Sequence, residues 1–99
     1  MGEFVKVKID NKTALVTLDH PPVNALSPAV LKELKTEFDG FAKNDEVRAV
    51  VLTGAGNHAF CAGADLKAFA GIDPKQAAEI VQLGHAAMNA VEDCRKPVI

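Results

Sequence analysis

Several features that mark specialised classes of protein are scarce or missing in this chain. Only two cysteines occur, Cys61 and Cys94, too few for a disulfide framework, so we expect free thiols in a reducing compartment. Eleven basic side chains against thirteen acidic ones give a net charge of -2, without the basic excess of nucleic-acid or anionic-membrane binders. The longest apolar runs, such as residues 49–52, are far shorter than the roughly 20 residues that span a bilayer. These absences predict no nucleic-acid partner and no membrane-spanning helix.

What remains is the composition of an ordinary globular domain. Hydrophobic residues make up 48% and charged residues 24% of the 99 positions, close to the averages for soluble proteins. Residues 1–6 alternate charged with apolar side chains and lack the continuous apolar segment of a signal peptide. The length is that of one small domain. We therefore expect a single soluble domain in the cytoplasm.

Hydrophobic periodicity and helix-start signals predict an alternation of strands and helices. Ser27 and Asp73 each precede a proline; such side chains cap free helix amides, and proline loses no hydrogen bond at the first helical position. Residues 47–52 form a nearly continuous apolar run, which is typical of a parallel strand covered on both faces. The predicted elements are a β-hairpin over residues 4–18, a helix from Ser27 to about Ala42, the strand over residues 47–52, a short helix from Asp65 to about Ala70, a long helix from Asp73 to about Asp93 and an incomplete strand from Lys96. This order indicates an α/β fold.

The glycine-rich segment from Gly54 to Leu66 is the most informative part of the chain. Residues 54–59 match the pattern G-x-G-x-x-A, which follows a strand in dinucleotide-binding proteins. In those proteins a helix begins within the motif, and an acidic residue follows about 20 positions later at the end of a strand. Here Phe60-Cys61-Ala62-Gly63 follows the motif instead, and no such strand is predicted. We therefore interpret these glycines as turn residues.

Histidines and cysteines suggest a second kind of site. His58 and Cys61 are three residues apart, with His85 and Cys94 as candidate partners further along the chain. Structural zinc needs four ligands, usually in closely spaced pairs, and only one close pair is present. We therefore predict no metal site, a packed or surface position for His85, and a buried apolar role for Cys61.

Backbone chemistry is a third candidate. The segment Ala62-Gly63-Ala64 carries no functional side chain but lets a ligand approach the main chain closely. A helix predicted just behind it presents unpaired amides and the positive end of its dipole. Such a loop can stabilise a developing oxyanion, or it can be a tight connection that needs small residues only for packing. The spacing alone leaves both interpretations open.

Four segments together form a recognisable pattern: His20-Pro21-Pro22-Val23-Asn24-Ala25-Leu26, residues 47–54, Ala59-Phe60-Cys61-Ala62-Gly63-Ala64-Asp65-Leu66, and Lys96-Pro97-Val98-Ile99. In this order and at these separations they resemble the N-terminal part of the enoyl-CoA hydratase/isomerase family, the crotonases. The resemblance covers essentially the whole chain. It implies a crotonase-like (ClpP/crotonase) fold of ββα units with a spiral core, in which residues 1–99 are the N-terminal part and the last strand is truncated. It also implies an acyl-CoA thioester as substrate, no separate cofactor because coenzyme A belongs to the substrate, and a homotrimer or a dimer of trimers.

The resemblance also implies roles for individual residues. In the family, the amide after the glycine of the Ala-Gly-Ala-Asp segment donates one of two oxyanion-hole hydrogen bonds to the thioester oxygen, and this amide belongs to Ala64 here. Neighbouring groups are implied to bind the coenzyme A part of the substrate, and they map to Pro22, Val23, Ala25, Ala62, Gly63, Asp65 and Leu66.

The chain departs from the family pattern at two places. Asp19-His20-Pro21 stands where members often have Asn-Arg-Pro, so the role of that arginine near the phosphates has no direct equivalent, although Lys67 could supply charge. The second oxyanion donor and the hydratase glutamates of the family lie beyond the position of Ile99. We therefore expect the 99-residue chain to be inactive by itself.

Two classes of function follow from the sequence. The first is the acyl-CoA-binding part of an enoyl-CoA hydratase or isomerase, a lyase or isomerase that stabilises a thioester enolate in fatty-acid β-oxidation. The alternative is a noncatalytic α/β module that binds a nucleotide or a partner through the glycine-rich loop. Sequence beyond Ile99 discriminates between them, because a further glycine-rich loop followed by a glutamate favours the enzyme.

Overall fold

The structure, a computed structural model, describes residues 2–99 and contains strands and helices in the predicted order. The elements are β1 (Val5–Asp10), β2 (Thr13–Leu18), α1 (Pro28–Phe41), β3 (Ala49–Gly54), α2 (Leu66–Phe69) and α3 (Pro74–Glu92). The strands lie in the order β1-β2-β3, with β1 antiparallel to β2 and β2 parallel to β3. The predicted α/β organisation is confirmed, with bounds shifted by one or two residues.

β1 and β2 form the predicted hairpin. Val5 pairs with Leu18 at the open end and Asp10 pairs with Thr13 beside the turn. The two turn residues, Asn11 and Lys12, both have positive φ, 52° and 64°. This conformation twists a two-residue turn in the sense that matches the right-handed twist of the strands.

The far edge of β3 is paired with the last residues of the chain. The Val50 amide donates to the Pro97 carbonyl at 2.9 Å, and the Ile99 amide donates to the Val50 carbonyl at 2.9 Å. Val50 and Val98 form a parallel bridge. The strand predicted from Lys96 onward therefore does begin beside β3.

The hydrophobic core lies between α1 and one face of the sheet. Its buried members are Val5, Ala14, Val16, Leu18, Val30, Leu34, Phe38, Phe41, Val47, Val50 and Cys94. On the other face, Leu15 is 41% exposed and its β3 neighbour Val51 is half-buried. The prediction that strand 47–52 is covered on both faces was therefore wrong for the described residues. Alternate side chains of a strand point to opposite faces, and α1 covers only one of them.

The two long helices begin where the sequence predicts. Ser27 Oγ accepts a hydrogen bond from the Val30 amide at 3.2 Å, with Pro28 at the first helical position of α1. At the start of α3, Asp73 Oδ1 accepts from the Gln76 amide at 2.8 Å, and Gln76 Oε1 accepts from the Asp73 amide at 3.1 Å. This reciprocal pair is a capping box, which satisfies two amides that the helix itself cannot.

α3 packs mainly against α1 and leaves much of its apolar side uncovered. Ala87 is its one fully buried residue among the described positions, whereas Val81 is 55% and Met88 45% exposed. The apolar periodicity predicts this helix correctly, but part of the apolar stripe lines a cavity instead of the core. No helix within residues 2–99 is long and apolar enough to cross a membrane.

Candidate functional site

The Asn24 side chain ties the loop before α1 to the loop after β3. It is 2% exposed, and its Oδ1 accepts a hydrogen bond from the His20 amide at 3.0 Å. Its Nδ2 lies 3.0 Å from the Ala55 carbonyl oxygen, 3.0 Å from that of Ala59 and 3.2 Å from that of Phe60. Because carbonyl oxygens only accept, the three of them require the nitrogen of the carboxamide on their side. One side chain therefore fixes two loops that are about 30 positions apart in the sequence.

Gly54 makes this close approach of the two loops possible. A Cβ atom there would clash with the Phe60 carbonyl oxygen and would stand 2.8 Å from Asn24 Nδ2. The chain from Ala55 to Asp65 contains no helix, and α2 begins only at Leu66. A dinucleotide-binding motif opens a helix within itself, and none begins here. Gly54 ends β3, whereas Gly56, with a φ of 83°, lies in the bend that follows, so the turn interpretation holds for Gly56 and not for Gly54.

Residues 62–65 run parallel to residues 23–26 as a short two-stranded ribbon. The Ala62 amide donates to the Val23 carbonyl at 3.0 Å. The Leu26 amide donates to the Gly63 carbonyl at 2.7 Å, and the Asp65 amide donates to the Leu26 carbonyl at 3.0 Å. Gly63 has a φ of 104°, a conformation that glycine adopts readily and other residues rarely do.

The ribbon directs the Ala64 backbone away from its partner strand. Leu26 bonds to the residues on either side of Ala64, and the peptide groups of an extended strand alternate in direction. The Ala64 amide therefore points outward, and no described residue accepts a hydrogen bond from it. Ala64 is also exposed, so this donor is available to a ligand.

Two cavities meet at Ala64. The first, which we call the loop groove, has a volume of about 420 Å³ and is lined by His20, Pro21, Pro22, Val23, Ala25, Ala62, Ala64, Asp65, Leu66 and Lys67. The second, the helix cavity, has a volume of about 500 Å³ and is lined by Leu26, Leu31, Ala64, Phe69, Ile72, Ala77, Ile80, Val81, Gly84, His85 and Met88. Both volumes are those of ordinary small-molecule sites. Of the described residues, Ala64 alone lines both cavities.

The loop groove and the helix cavity differ in chemistry. The loop groove carries three side chains that can be charged, His20, Asp65 and Lys67. The helix cavity is lined by apolar residues except for His85. Such a pair of sites suits a ligand with one polar, charged end and one apolar end.

The polar side chains of the loop groove are partly engaged by the backbone. His20 Nδ1 lies 2.7 Å from the Ala25 carbonyl oxygen, so this nitrogen carries a proton because the carbonyl cannot donate. Asp65 Oδ1 caps α2 by accepting from the Lys67 amide at 3.1 Å. The sequence predicts unpaired amides at the start of this helix, but this cap occupies the Lys67 amide, so the outward Ala64 amide is the better candidate donor.

The structure brings the predicted site residues together. Seven of them line the loop groove, namely Pro22, Val23, Ala25, Ala62, Ala64, Asp65 and Leu66. Gly63 does not line it but holds the ribbon through its carbonyl. The family motif includes Asn24 but implies no role for it, because three of its four partners are backbone carbonyls more than 30 positions away in the sequence.

The histidines and cysteines do not form a common site. Cys61 and Cys94 are both free thiols, half-buried and buried respectively, and Cys61 packs against the core. His85 is exposed on α3 and His58 is exposed in the loop after β3. Within the described part of the chain, no group of three or more His, Cys, Asp or Glu side chains could hold a metal ion.

Comparisons with known proteins show which family this chain resembles in sequence and fold. The profile of one protein family, described as enoyl-CoA hydratase/isomerase, matches residues 8–99. The Bacillus subtilis protein YngF is 37% identical over 101 residues, covering 100% of this chain and 39% of that protein. The short-chain-enoyl-CoA hydratase of Clostridium acetobutylicum is 35% identical over 91 residues, covering 91% of this chain and 35% of that protein. The crystal structure of an enoyl-CoA hydratase from Bacillus anthracis superposes with a TM-score of 0.90 at 35% identity, covering 97% of this chain and 38% of that one.

The coverage is one-sided in each of these comparisons. Nearly all of this chain is matched, but it spans less than two fifths of the length of each of these three proteins. The expected crotonase-like fold and the resemblance to an N-terminal portion of the family are confirmed.

Proposed function

The chain belongs to the enoyl-CoA hydratase/isomerase family, and on that premise we propose that the whole protein binds an acyl-CoA thioester at the junction of its two cavities. One observation carries the proposal: the unpartnered Ala64 amide lies where the loop groove and the helix cavity meet. An acyl-CoA has the matching form, because its thioester carbonyl joins a charged nucleotide to an apolar chain.

In this proposal the loop groove holds the coenzyme A part of the substrate. The ribbon presents backbone edges and small side chains, among them Ala62 and Ala25, against which a planar base can lie closely. Lys67 and His20 stand at the groove, where they can face the phosphates. Coenzyme A is part of the substrate, so no separate cofactor is proposed.

The Ala64 amide acts on charge that develops during the reaction. Addition of water to an enoyl thioester, or proton transfer next to the carbonyl, builds enolate character on the thioester oxygen. A preorganised amide stabilises that oxygen more in the transition state than in the ground state, which lowers the barrier. One such donor typically contributes about 2.7 to 4 kcal/mol.

Carboxylates for proton transfer are scarce at the two cavities, which otherwise carry the imidazoles of His20 and His85. Among the described residues, Asp65 is the one carboxylate at either cavity, and it is engaged in capping α2. We therefore propose that the acid and base groups, and a second oxyanion donor, come from the rest of the whole protein. We further propose that this protein is cytoplasmic, acts in fatty-acid β-oxidation and assembles as a homotrimer or a dimer of trimers.

The test is a pair of measurements on the whole protein. Calorimetric titration with a saturated acyl-CoA measures binding, and loss of the absorbance of a trans-2-enoyl-CoA measures hydration. We expect saturable binding and turnover above the uncatalysed rate. Binding without turnover of any enoyl-CoA would favour the noncatalytic module, and absence of acyl-CoA binding would overturn the proposal altogether.

A further inference from the structure

Gly84 lies in the interior of α3, where glycine is unfavourable. It is the eleventh of the 19 residues of the helix. Glycine there is less favourable than alanine, because it loses more backbone freedom on folding. The backbone conformation does not require it, since Gly84 is absent from the glycines with positive φ.

Helix packing does not require a glycine at this position either. A Cβ atom on residue 84 would meet only the Leu31 Cδ1 atom of α1, at 3.9 Å, which is an ordinary van der Waals distance. An alanine would therefore fit between α1 and α3 without any movement. What distinguishes the position is that Gly84 lines the helix cavity, as Leu31 does.

We infer that Gly84 is a specificity-determining residue, which keeps the helix cavity open for the acyl chain of the substrate. This inference rests on the proposed function, in which the thioester lies at Ala64 and the apolar chain enters this cavity. A side chain at position 84 would occupy space in the helix cavity that the acyl chain of the substrate would otherwise fill. The residue thus sets how long or how bulky an acyl group can be.

The test measures kcat/KM of the whole protein for a series of enoyl-CoA substrates of increasing chain length. Gly84→Leu is expected to lower the ratio of kcat/KM for the longest accepted chain to that for crotonyl-CoA by about tenfold or more, since one methylene in an apolar pocket already changes discrimination by about 10- to 200-fold. Gly84→Ala is expected to give a smaller shift in the same direction. It should also raise the thermal unfolding midpoint, which shows that the fold is intact.

Gly40 provides a matched control. It lies in α1, is exposed, and a Cβ atom there would meet nothing within 4 Å. Gly40→Leu and Gly40→Ala make the same chemical changes away from both cavities and should leave the chain-length profile unchanged.

The outcomes separate this inference from the proposed function. If the wild-type protein binds and converts no acyl-CoA of any length, the proposed function fails. If the wild-type protein is active and both folded Gly84 variants keep its chain-length profile, or if the Gly40 variants shift it equally, the specificity role of Gly84 is overturned while the proposed function stands.

Discussion

Single residues position the candidate site mainly through the backbone. Gly54 allows two loops to touch, Asn24 ties them together, and Gly63 turns the ribbon so that the Ala64 amide faces outward. None of these residues needs to contact a substrate with its side chain. The site therefore depends on conformation, which makes it sensitive to substitutions that change no charge.

Asn24→Ala tests the tie between the two loops. The substitution leaves partly buried backbone groups of both loops without their partner, and a buried group left unpaired typically costs about 1 to 3 kcal/mol. It also places alanine at a φ of 57°, which asparagine tolerates better. We expect a loss of about 2 kcal/mol or more in the free energy of unfolding, measured by denaturant titration.

Two further variants sharpen that measurement. Asn24→Asp keeps the acceptor for His20 but sets a carboxylate against three carbonyl oxygens, so it should not restore stability. Asn44→Ala removes a half-buried side chain whose one hydrogen bond, from the Glu46 amide, is exposed, and it should cost less than about 1 kcal/mol. Equal losses at Asn24 and Asn44 would show that the loops do not depend on the buried tie.

The sequence could not reveal this tie, although it pointed to the right segment. Turn chemistry and helix caps depend on neighbours within a few positions, whereas the carbonyl partners of Asn24 lie more than 30 positions away. The direction of the Ala64 amide likewise depends on pairing with Leu26, which is a tertiary contact. The resemblance to the family identifies the residues of the candidate site, whereas their arrangement in space comes from the structure.

At the scale of elements, local signals predict where helices begin. Ser27-Pro28 and Asp73-Pro74 mark the starts of α1 and α3 because capping involves residues that are adjacent in the sequence. These capping signals do not indicate which other elements pack against a helix or a strand. The uncovered face of the sheet and the open stripe of α3 depend on which other elements pack there.

Asp73→Ala tests the capping box of α3. The substitution removes the acceptor for the Gln76 amide and should lower the free energy of unfolding by about 1 kcal/mol. Asp73→Asn keeps a capping oxygen and should retain most of that stability. The measurement is again the denaturant midpoint. Equal midpoints for Asp73→Ala and the wild type would show that the capping box does not stabilise α3.

At the scale of the whole molecule, the chain exposes apolar side chains at several places. Ile99 is 83%, Leu66 79% and Phe60 53% exposed. Exposed apolar side chains and an open sheet edge, here that of β1, favour association. We expect the isolated 99-residue chain to elute above its monomer mass of 10.5 kDa in size-exclusion chromatography. A stable monomer that binds no hydrophobic dye would contradict this expectation.

The isolated chain is also expected to lack hydratase activity. It provides one candidate oxyanion amide, and among the described residues no uncommitted carboxylate lines either cavity. The measurement is turnover of crotonyl-CoA by the purified 99-residue chain. Turnover above the uncatalysed rate would mean that the acid and base groups lie within this chain.

The most direct test of the central claim, that the Ala64 amide stabilises the thioester oxygen, compares two substitutions in the whole protein. Ala64→Pro removes the amide hydrogen, which no described residue uses, and Ala64→Ser retains it. Both variants must melt like the wild type and bind coenzyme A before their turnover of an enoyl-CoA is compared. We expect Ala64→Ser to keep most activity and Ala64→Pro to lose about a hundred- to a thousandfold in kcat, the usual effect of removing one oxyanion donor. A folded Ala64→Pro variant that binds coenzyme A and turns over at close to the wild-type rate would contradict the claim and leave the ribbon as a packing element only.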